Sequence, residues 1–499
     1  MSSAVATLTP GGFALSGADR ARLERRLRTA VHRARSQGEV LAANRDRSHR
    51  AATRQVLAAI TVVLTDGDAA VDPAAVVFAS RVGDEPAFVF EQPQRGGSAL
   101  AGLGCVRALE ASGPSRFADV ARAWRALAGG AVADPLDGPP GSGPVAVGGF
   151  AFADEGGRAP HWAPYPPASL HVPEVALARR DGVVRLTLSA VATPDDTAEG
   201  LLERLEARVA SLRQAPLPLL DPDPVGTVAV ASAMPPEHYE AAVARAVERI
   251  RAGELEKIVL AREVAVHTPT PHDVAAIHGV LRDAFPACFV FAVMRGEHAF
   301  IAASPELLLR REGLRASTLG LAGSTRRSAD PAVDDHLGEQ LLRSDKDRGE
   351  HAIVVRRIER ALRPHSVWIT AAPEPVIAKM ANIQHLATPI RAQLAQPVSA
   401  IELAGTLHPT PAVGGEPFSV AGPLIPALEG LDRGWYAGPV GWADASEDGE
   451  FCVALRSALL DRSVARCYAG VGVVGDSDPA AELAETEVKL QALLPVLSF

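Results

Sequence analysis

The sequence predicts an α+β fold rather than a doubly wound parallel sheet, because its strand-like runs follow one another directly while helical patterns come in blocks between them. Two stretches carry this reading. HVPEVALARRDGVVRLTLSAVA, residues 171–192, places β-type runs on either side of Arg-Asp-Gly, the chemistry of a hairpin turn. FVFAVMRGEHAFIAASPELLLRREG, residues 289–313, reads as a second hairpin followed at once by a third strand. The segment WYAGPVGWADASEDGEFCVALRSALLDRSVARCYAGVGVV, residues 435–474, adds a meander of three or four strands.

In chain order, residues 18–36 predict a helix with Gly38 near its end. VLAAITVVLT (56–65), AAVVFASRV (74–82) and PAFVFEQP (86–93) read as short strands, and FADVARAWRALAGG (117–130) as an Ala-rich helix. DPLDGPPGSGP (134–144) is turn and linker chemistry, after which VAVGGFAF (145–152) begins a buried strand. TAEGLLERLEARVASLRQA (197–215) is an amphipathic helix, and the Pro-rich QAPLPLLDPDPVG (214–226) is the clearest seam in the chain. Beyond it come a helix ending near Gly253, the strand EKIVLAREV, and the helix SDKDRGEHAIVVRRIERALRP (344–364). The last helix lies in SDPAAELAETEVKLQALLPVL (477–497).

Composition narrows the function. With 47% hydrophobic and 22% charged residues over 499 positions, the chain has enough apolar material for a large core. The net charge of -9 argues against a nucleic-acid partner, whose grip needs a basic excess. Cys105, Cys288, Cys452 and Cys467 show neither a zinc spacing nor a disulfide framework and read as small buried side chains in a reducing compartment. No apolar run approaches the roughly 18 residues of a membrane span, and the start lacks the pattern of a secretory signal. The Arg-rich ARLERRLRTAVHRARSQGE is interleaved with acids, as in an ordinary solvated helix. The expectation is a cytoplasmic protein with no membrane partner.

AGVGVVG, residues 469–475, contains G-x-G-x-x-G, but its context fails a dinucleotide site. The following helix starts at Asp478-Pro479, an N-cap with Pro at N1, and no second parallel strand follows to carry a ribose-binding acid. A glycine-rich strand whose backbone approaches a ligand closely accounts for it better.

Two acidic pairs remain. Asp347 and Glu350, and Glu482 and Glu485, each lie three apart, which on a helix puts both carboxylates on one face. By spacing alone they are most simply solvated helix acids beside Lys346, Arg348 and Lys489. If the two helices met across a pocket, the same oxygens could hold Mg²⁺.

EKIVLAREV, AASPELLLR, LGLAGSTRR, DKDRGEH, QHLATPI, LHPTPAVGG, YAGPVGW, VALRSA and AGVGVV with AELAET occur in that order over residues 253–489. Together they resemble the chorismate-utilising enzymes, the family of the anthranilate, aminodeoxychorismate, salicylate and isochorismate synthases. VAVGGFAF extends the likeness back to residue 145, while residues 1–140 carry little of it, so a 145–499 catalytic region intertwined with a 1–140 N-terminal region is expected. The resemblance implies two large antiparallel sheets packed together and surrounded by helices, with the pocket between sheets and helices. It implies Mg²⁺ as cofactor, held chiefly by Glu350 and Glu485 with Asp347 and Glu482 close by, and binding the ring carboxylate of chorismate.

Within the family, the position of Lys257 is typically Gln in aminating members and Lys in those that add water. A lysine kept neutral can take a proton from water. Ala322 stands where aminodeoxychorismate synthases often carry a nucleophilic Lys, and no glutaminase-like motif is present, so no glutaminase subunit is expected. The run HPTPA, with Ala412 where aminating, pyruvate-releasing members usually have Thr, is most similar to isochorismate synthases. The implied reaction is an isomerisation: Lys257 as general base activates water for attack at C2, and Glu306 as general acid protonates the departing C4 hydroxyl. Arg456 would grip the enolpyruvyl carboxylate through its fork. Gly470 and Gly323 would offer backbone N–H groups to the carboxylates, His385 would lie near the ring or C4 oxygen, and Lys489 near the metal carboxylates. His408 reads as turn structure. The alternative is a salicylate synthase, which goes on to eliminate pyruvate. The product would serve menaquinone, siderophore or other biosynthesis, and a monomer is expected.

Overall fold

The computed structural model describes residues 5–9, 12–43, 55–65, 71–135, 137–221 and 226–498. The two hairpins form as their turns dictate. Val175–Arg180 pairs antiparallel with Val183–Ala192 across Asp181 and Gly182, at φ 52° and 76°, and Phe289–Arg295 pairs with His298–Ser304 across Gly296, at φ 58°.

The strands build two sheets, of 14 and 10 strands among the described residues. Among the described residues the strands pair antiparallel except where Val5–Thr9 lies parallel to Val56–Thr65, and a single parallel bridge joins Ala58 to Val132. In the larger sheet, Ala87–Gln92 and Ser98–Leu103 lie between Phe289–Arg295 and Val175–Arg180, so chain from before residue 140 and after residue 253 shares one hydrogen-bonded ladder. The period-2 pattern divides the core. Phe289, Phe291 and Val293 face a cluster shared with Phe150 and Phe451 of the smaller sheet and with Trp435 in the turn before it, and this cluster joins the two sheets. Val290, Ala292 and Met294 point the other way, to a second cluster with Leu23 and Leu27 of helix Gly17–Ala43, Leu201 and Leu205 of Ala198–Ser211, and Leu281 of Val274–Ala284.

Four readings need correction. AAVVFASRV is a helix, Pro73–Ser80: Asp72 caps it by accepting from Ala74 and Ala75 N–H, Pro73 opens it, and burial on nearly all sides explains its strand-like apolar run. The first helix continues through Gly38 to Ala43. The final strands do not form one meander. Pro439–Asp444 and Gly449–Val453 belong to the smaller sheet, Ser457–Asp461 and Val464–Val473 to the larger, and the chain changes sheet between Val453 and Ser457. Cys105 is exposed, whereas Cys288, Cys452 and Cys467 are buried and free.

Residues 214–221 have no helix or strand, and residues 222–225 of that seam lie outside the described residues, as does Leu136 of the 134–144 linker. No helix among the described residues is long and apolar enough to cross a membrane.

One buried ion pair fixes the wall that carries Lys257. Glu429 and Arg433 are buried, Glu429 accepts from Ala261 N–H at 2.7 Å, and Arg433 donates to Val259 O at 2.9 Å and Val413 O at 2.7 Å. Removing one partner strands a buried charge, so Arg433→Met is expected to cost about 3–5 kcal/mol of stability, read as a fall in the urea midpoint. An unchanged midpoint would show that the pair is not structural.

Candidate active site

The chain changes sheet twice at adjacent places, and these crossings create the site. The first lies between Ser304 and Leu307 and carries Glu306; the second lies between Val453 and Ser457, where Arg456 adopts φ 48°. They are tied together: Val453 N–H donates to Glu306 O at 3.0 Å, Ala303 N–H donates to Arg456 O at 3.2 Å, and Ser304 Oγ donates to Val453 O. A left-handed backbone at a bulky residue is costly and is maintained by such surrounding contacts. Both side chains line a cleft closed by the helices Asp345–Leu362 and Pro479–Leu490.

Glu306 is buried at 3% exposure, and burial pushes its carboxyl up to about 8, with Lys257 and Lys489 pulling the other way. It is therefore a protonated acid near neutral pH, in hydrogen-bonding reach of the cleft. Lys257, at the start of Lys257–His267, is buried at 1% and pairs with Glu350 at 2.7 Å. A feature the sequence did not single out makes room for this pair. A Cβ on Gly472 would lie 2.2 Å from Glu350 Oε1 and 2.7 Å from Lys257 Cε. Gly472→Ala is thus expected to separate Lys257 from Glu350 and lower turnover at least about tenfold while the protein stays folded; kcat together with a melting curve checks it.

The four acids come to the same cleft, each with partners. Glu482 pairs with Lys346 at 2.9 Å, Glu485 with Lys489 at 2.9 Å and with Ser324 Oγ at 2.6 Å, and Asp347 accepts from Ser344 Oγ. Among the described residues they do not converge as a ready-made group of three or more metal-binding side chains. Their chemistry nevertheless suits a hard cation. They are carboxylates without free thiolate or imidazole, and burial, reinforced by Glu350 and Glu485, raises the Asp347 carboxyl. Burial likewise raises Glu482 against the pull of Lys346, while for Glu485 burial is outweighed by Lys489 and Ser324, which bring it below its ordinary value. Four carboxylates face the three lysines 257, 346 and 489, leaving one negative charge in excess.

On the opposite side, Arg456 Nη2 donates to His385 Nε2 at 2.8 Å, so that nitrogen carries no proton; His385 Nδ1 carries it and faces Gly323 O at 3.3 Å. Burial, aided by Arg456, holds this imidazole well below its ordinary value. His385, which lines the cleft, thus orients Arg456 with both of its nitrogens engaged. Arg456 Nη1 is buried without an acceptor among the described residues, a donor available to an anion in the cleft. Gly323, at φ 74°, lies where a Cβ would come 3.1 Å from Asp347 Cβ, and Gly470 O accepts Lys489 Nζ at 2.9 Å.

Ala412 lines the cleft, as do Tyr436 and Tyr468, which stack with centroids 5.2 Å apart and were not foreseen. Tyr468 Oη is buried without a partner among the described residues. His408 is outside the cleft lining: its Nε2 faces Phe152 O at 3.0 Å, and burial lowers it to about 3.

Paired sheets enclose a cleft lined by the buried acid Glu306 and the buried Arg456, with buried Lys257 paired to its carboxylate Glu350, an arrangement suited to an enzyme that works on a small molecule. The chain belongs to the chorismate-binding enzyme family: the sequence signature described as "Chorismate binding enzyme" matches residues 45–498. It is similar to the "Salicylate biosynthesis isochorismate synthase" of Pseudomonas aeruginosa, 39% identical over 83% of this chain and 85% of that one. It is also similar to the "Isochorismate synthase MenF" of Bacillus subtilis, 34% identical over 71% of this chain and 75% of the relative. The structure of MenF, the menaquinone-specific isochorismate synthase from Escherichia coli, superposes with a TM-score of 0.74 at 25% identity, covering 94% of this chain and 99% of that one.

Proposed function

We propose that this protein is an isochorismate synthase, converting chorismate to isochorismate without releasing pyruvate. The observation that carries the reading is the buried carboxyl of Glu306, raised by burial, in a cleft whose carboxylate Glu350 is paired at 2.7 Å with the buried lysine Lys257. Relatives named as isochorismate synthases support it over the salicylate synthase reading.

In this mechanism Lys257 takes a proton from water as the water oxygen bonds to C2. The ring double bonds shift, the C4–O bond breaks, and Glu306 gives its proton to the departing hydroxyl, which leaves as water. One water enters and one leaves, and the proton returns from Lys257 to Glu306 through solvent. Arg456, oriented by His385, holds the enolpyruvyl carboxylate through its fork. Glu350, Glu485, Glu482 and Asp347 would hold Mg²⁺, which supplies charge neutralisation for the ring carboxylate. Glu350, the partner of Lys257 at 2.7 Å, is one of the carboxylates that would hold the metal, so the lysine sits next to the proposed metal site. With water as nucleophile no glutaminase subunit is needed. The chain is proposed to act as a cytoplasmic monomer, with its product feeding menaquinone or siderophore synthesis.

The test is incubation of purified protein with chorismate and Mg²⁺, with and without EDTA, followed by mass-resolved chromatography. An isomer of chorismate, no pyruvate, loss of turnover with EDTA and recovery with excess Mg²⁺ are expected. Salicylate with pyruvate would move the protein to the alternative reading, and no turnover would end the catalytic one.

A further inference from the structure

The strand Leu307–Glu312 begins beside Glu306 and ends in a second cavity, of about 260 Å³, that the proposed reaction does not use. Arg95, Arg180, Arg310 and Arg311 line it. Three of them are matched by carboxylates. Glu450, buried at 2% exposure, takes Arg310 Nε at 2.6 Å and Arg95 Nη1 at 3.2 Å, and Asp448 takes Arg311 Nη1 at 2.8 Å.

Arg180 differs. It lies over the Trp442 ring at 5.4 Å, and its Nη1 donates to Ser98 Oγ and the Arg179 carbonyl, both neutral. It forms no ion pair among the described residues, although burial disfavours its charge and Arg95 and Arg310 add like charge; the compensation comes from Glu450, already shared by those two, and more weakly from Glu312, which pairs with Arg95 at 3.5 Å. Two more donors of the same wall, Trp442 Nε1 and Arg311 Nε, are buried and have no acceptor among the described residues. Buried N–H groups are seldom left unpaired, and an unmatched guanidinium stacked on an aromatic ring is already oriented for a planar or tetrahedral oxyanion.

We propose that this cavity is a binding site for a small oxyanion, a phosphate or a carboxylate end-group, gripped chiefly by Arg180 and Arg95. The two groups share one recognition chemistry, bidentate acceptance from guanidinium, and the cavity lies at the opposite end of Leu307–Glu312 from the cleft.

The test is isothermal titration of inorganic phosphate and, separately, acetate at fixed ionic strength, with chloride as the control. The proteins are the parent, Arg180→Gln, Arg95→Gln and Arg456→Gln. Saturable binding of at least one anion to the parent is expected, retained by Arg456→Gln and weakened at least about tenfold by Arg180→Gln. Phosphate alone or acetate alone identifies which oxyanion the site prefers. Arg95 is half exposed, so Arg95→Gln supplies the same readout if Arg180→Gln does not fold. No saturable binding of either anion would overturn the proposal. So would binding that Arg456→Gln abolishes while the Arg180 and Arg95 variants keep it, since the anion would then sit in the catalytic cleft.

Discussion

Lys257→Gln is expected to lower kcat for chorismate by about 10²–10⁴-fold with little change in KM, while the protein stays folded. The amide can still donate to Glu350, so the carboxylate at 2.7 Å keeps a partner, but an amide cannot take a proton from water. Lys257→Ala separates the two roles of the residue. It removes the base and also leaves Glu350 without its buried cation, so it should lose activity and, in addition, about 3–5 kcal/mol of stability. Steady-state kinetics and urea unfolding of both variants check this. Turnover by Lys257→Gln within tenfold of the parent would remove Lys257 from the chemistry.

Glu306→Gln is expected to lower kcat by about 10²–10⁴-fold as well, for the opposite reason: the amide keeps the shape but has no acidic proton to give. The parent's pH profile should carry the same signature. Glu306 is raised by burial to about 8, so the reactive protonated form dominates below that pH, and kcat/KM should fall as pH rises through it. Stability follows the same sign. Folding favours the protonated form, so this contribution is fully present below the ordinary value of 4.5, is lost as pH rises to about 8, and is absent above it. Glu306→Gln, neutral throughout, should therefore gain stability relative to the parent at pH 9. A parent profile that stays flat from pH 7 to 9.5 would contradict the assignment.

The elements that carry the acids were legible because their signals are local. Asp478 with Pro479 starts one helix, Ser344 caps the other, and the spacing of Asp347 and Glu350 and of Glu482 and Glu485 places each pair on one helix face. That the two faces share a cleft was not local information; it came from the family likeness of ten ordered stretches. The same limit explains the misread parts. AAVVFASRV is apolar all round because its helix is buried, and there only the Asp72-Pro73 start distinguishes helix from strand. The change of sheet between Val453 and Ser457 has no pattern of its own, since strands on both sides are equally apolar. Gly472 was visible as a glycine in a strand, but the Lys257–Glu350 pair it accommodates joins residues 93 positions apart. The bond from Arg456 to His385 joins residues 71 positions apart and has no local signal either.

In the proposed reaction the C2 oxygen of the product comes from solvent water activated by Lys257, and the C4 hydroxyl departs. Running the reaction in oxygen-18 water, and locating the label in the isolated isomer by mass spectrometry, tests it directly. One labelled oxygen at C2 in product from the parent enzyme is the predicted result. An isomer formed without label would mean that the C4 hydroxyl itself migrates, and neither Lys257 nor Glu306 would then have the role given to it here.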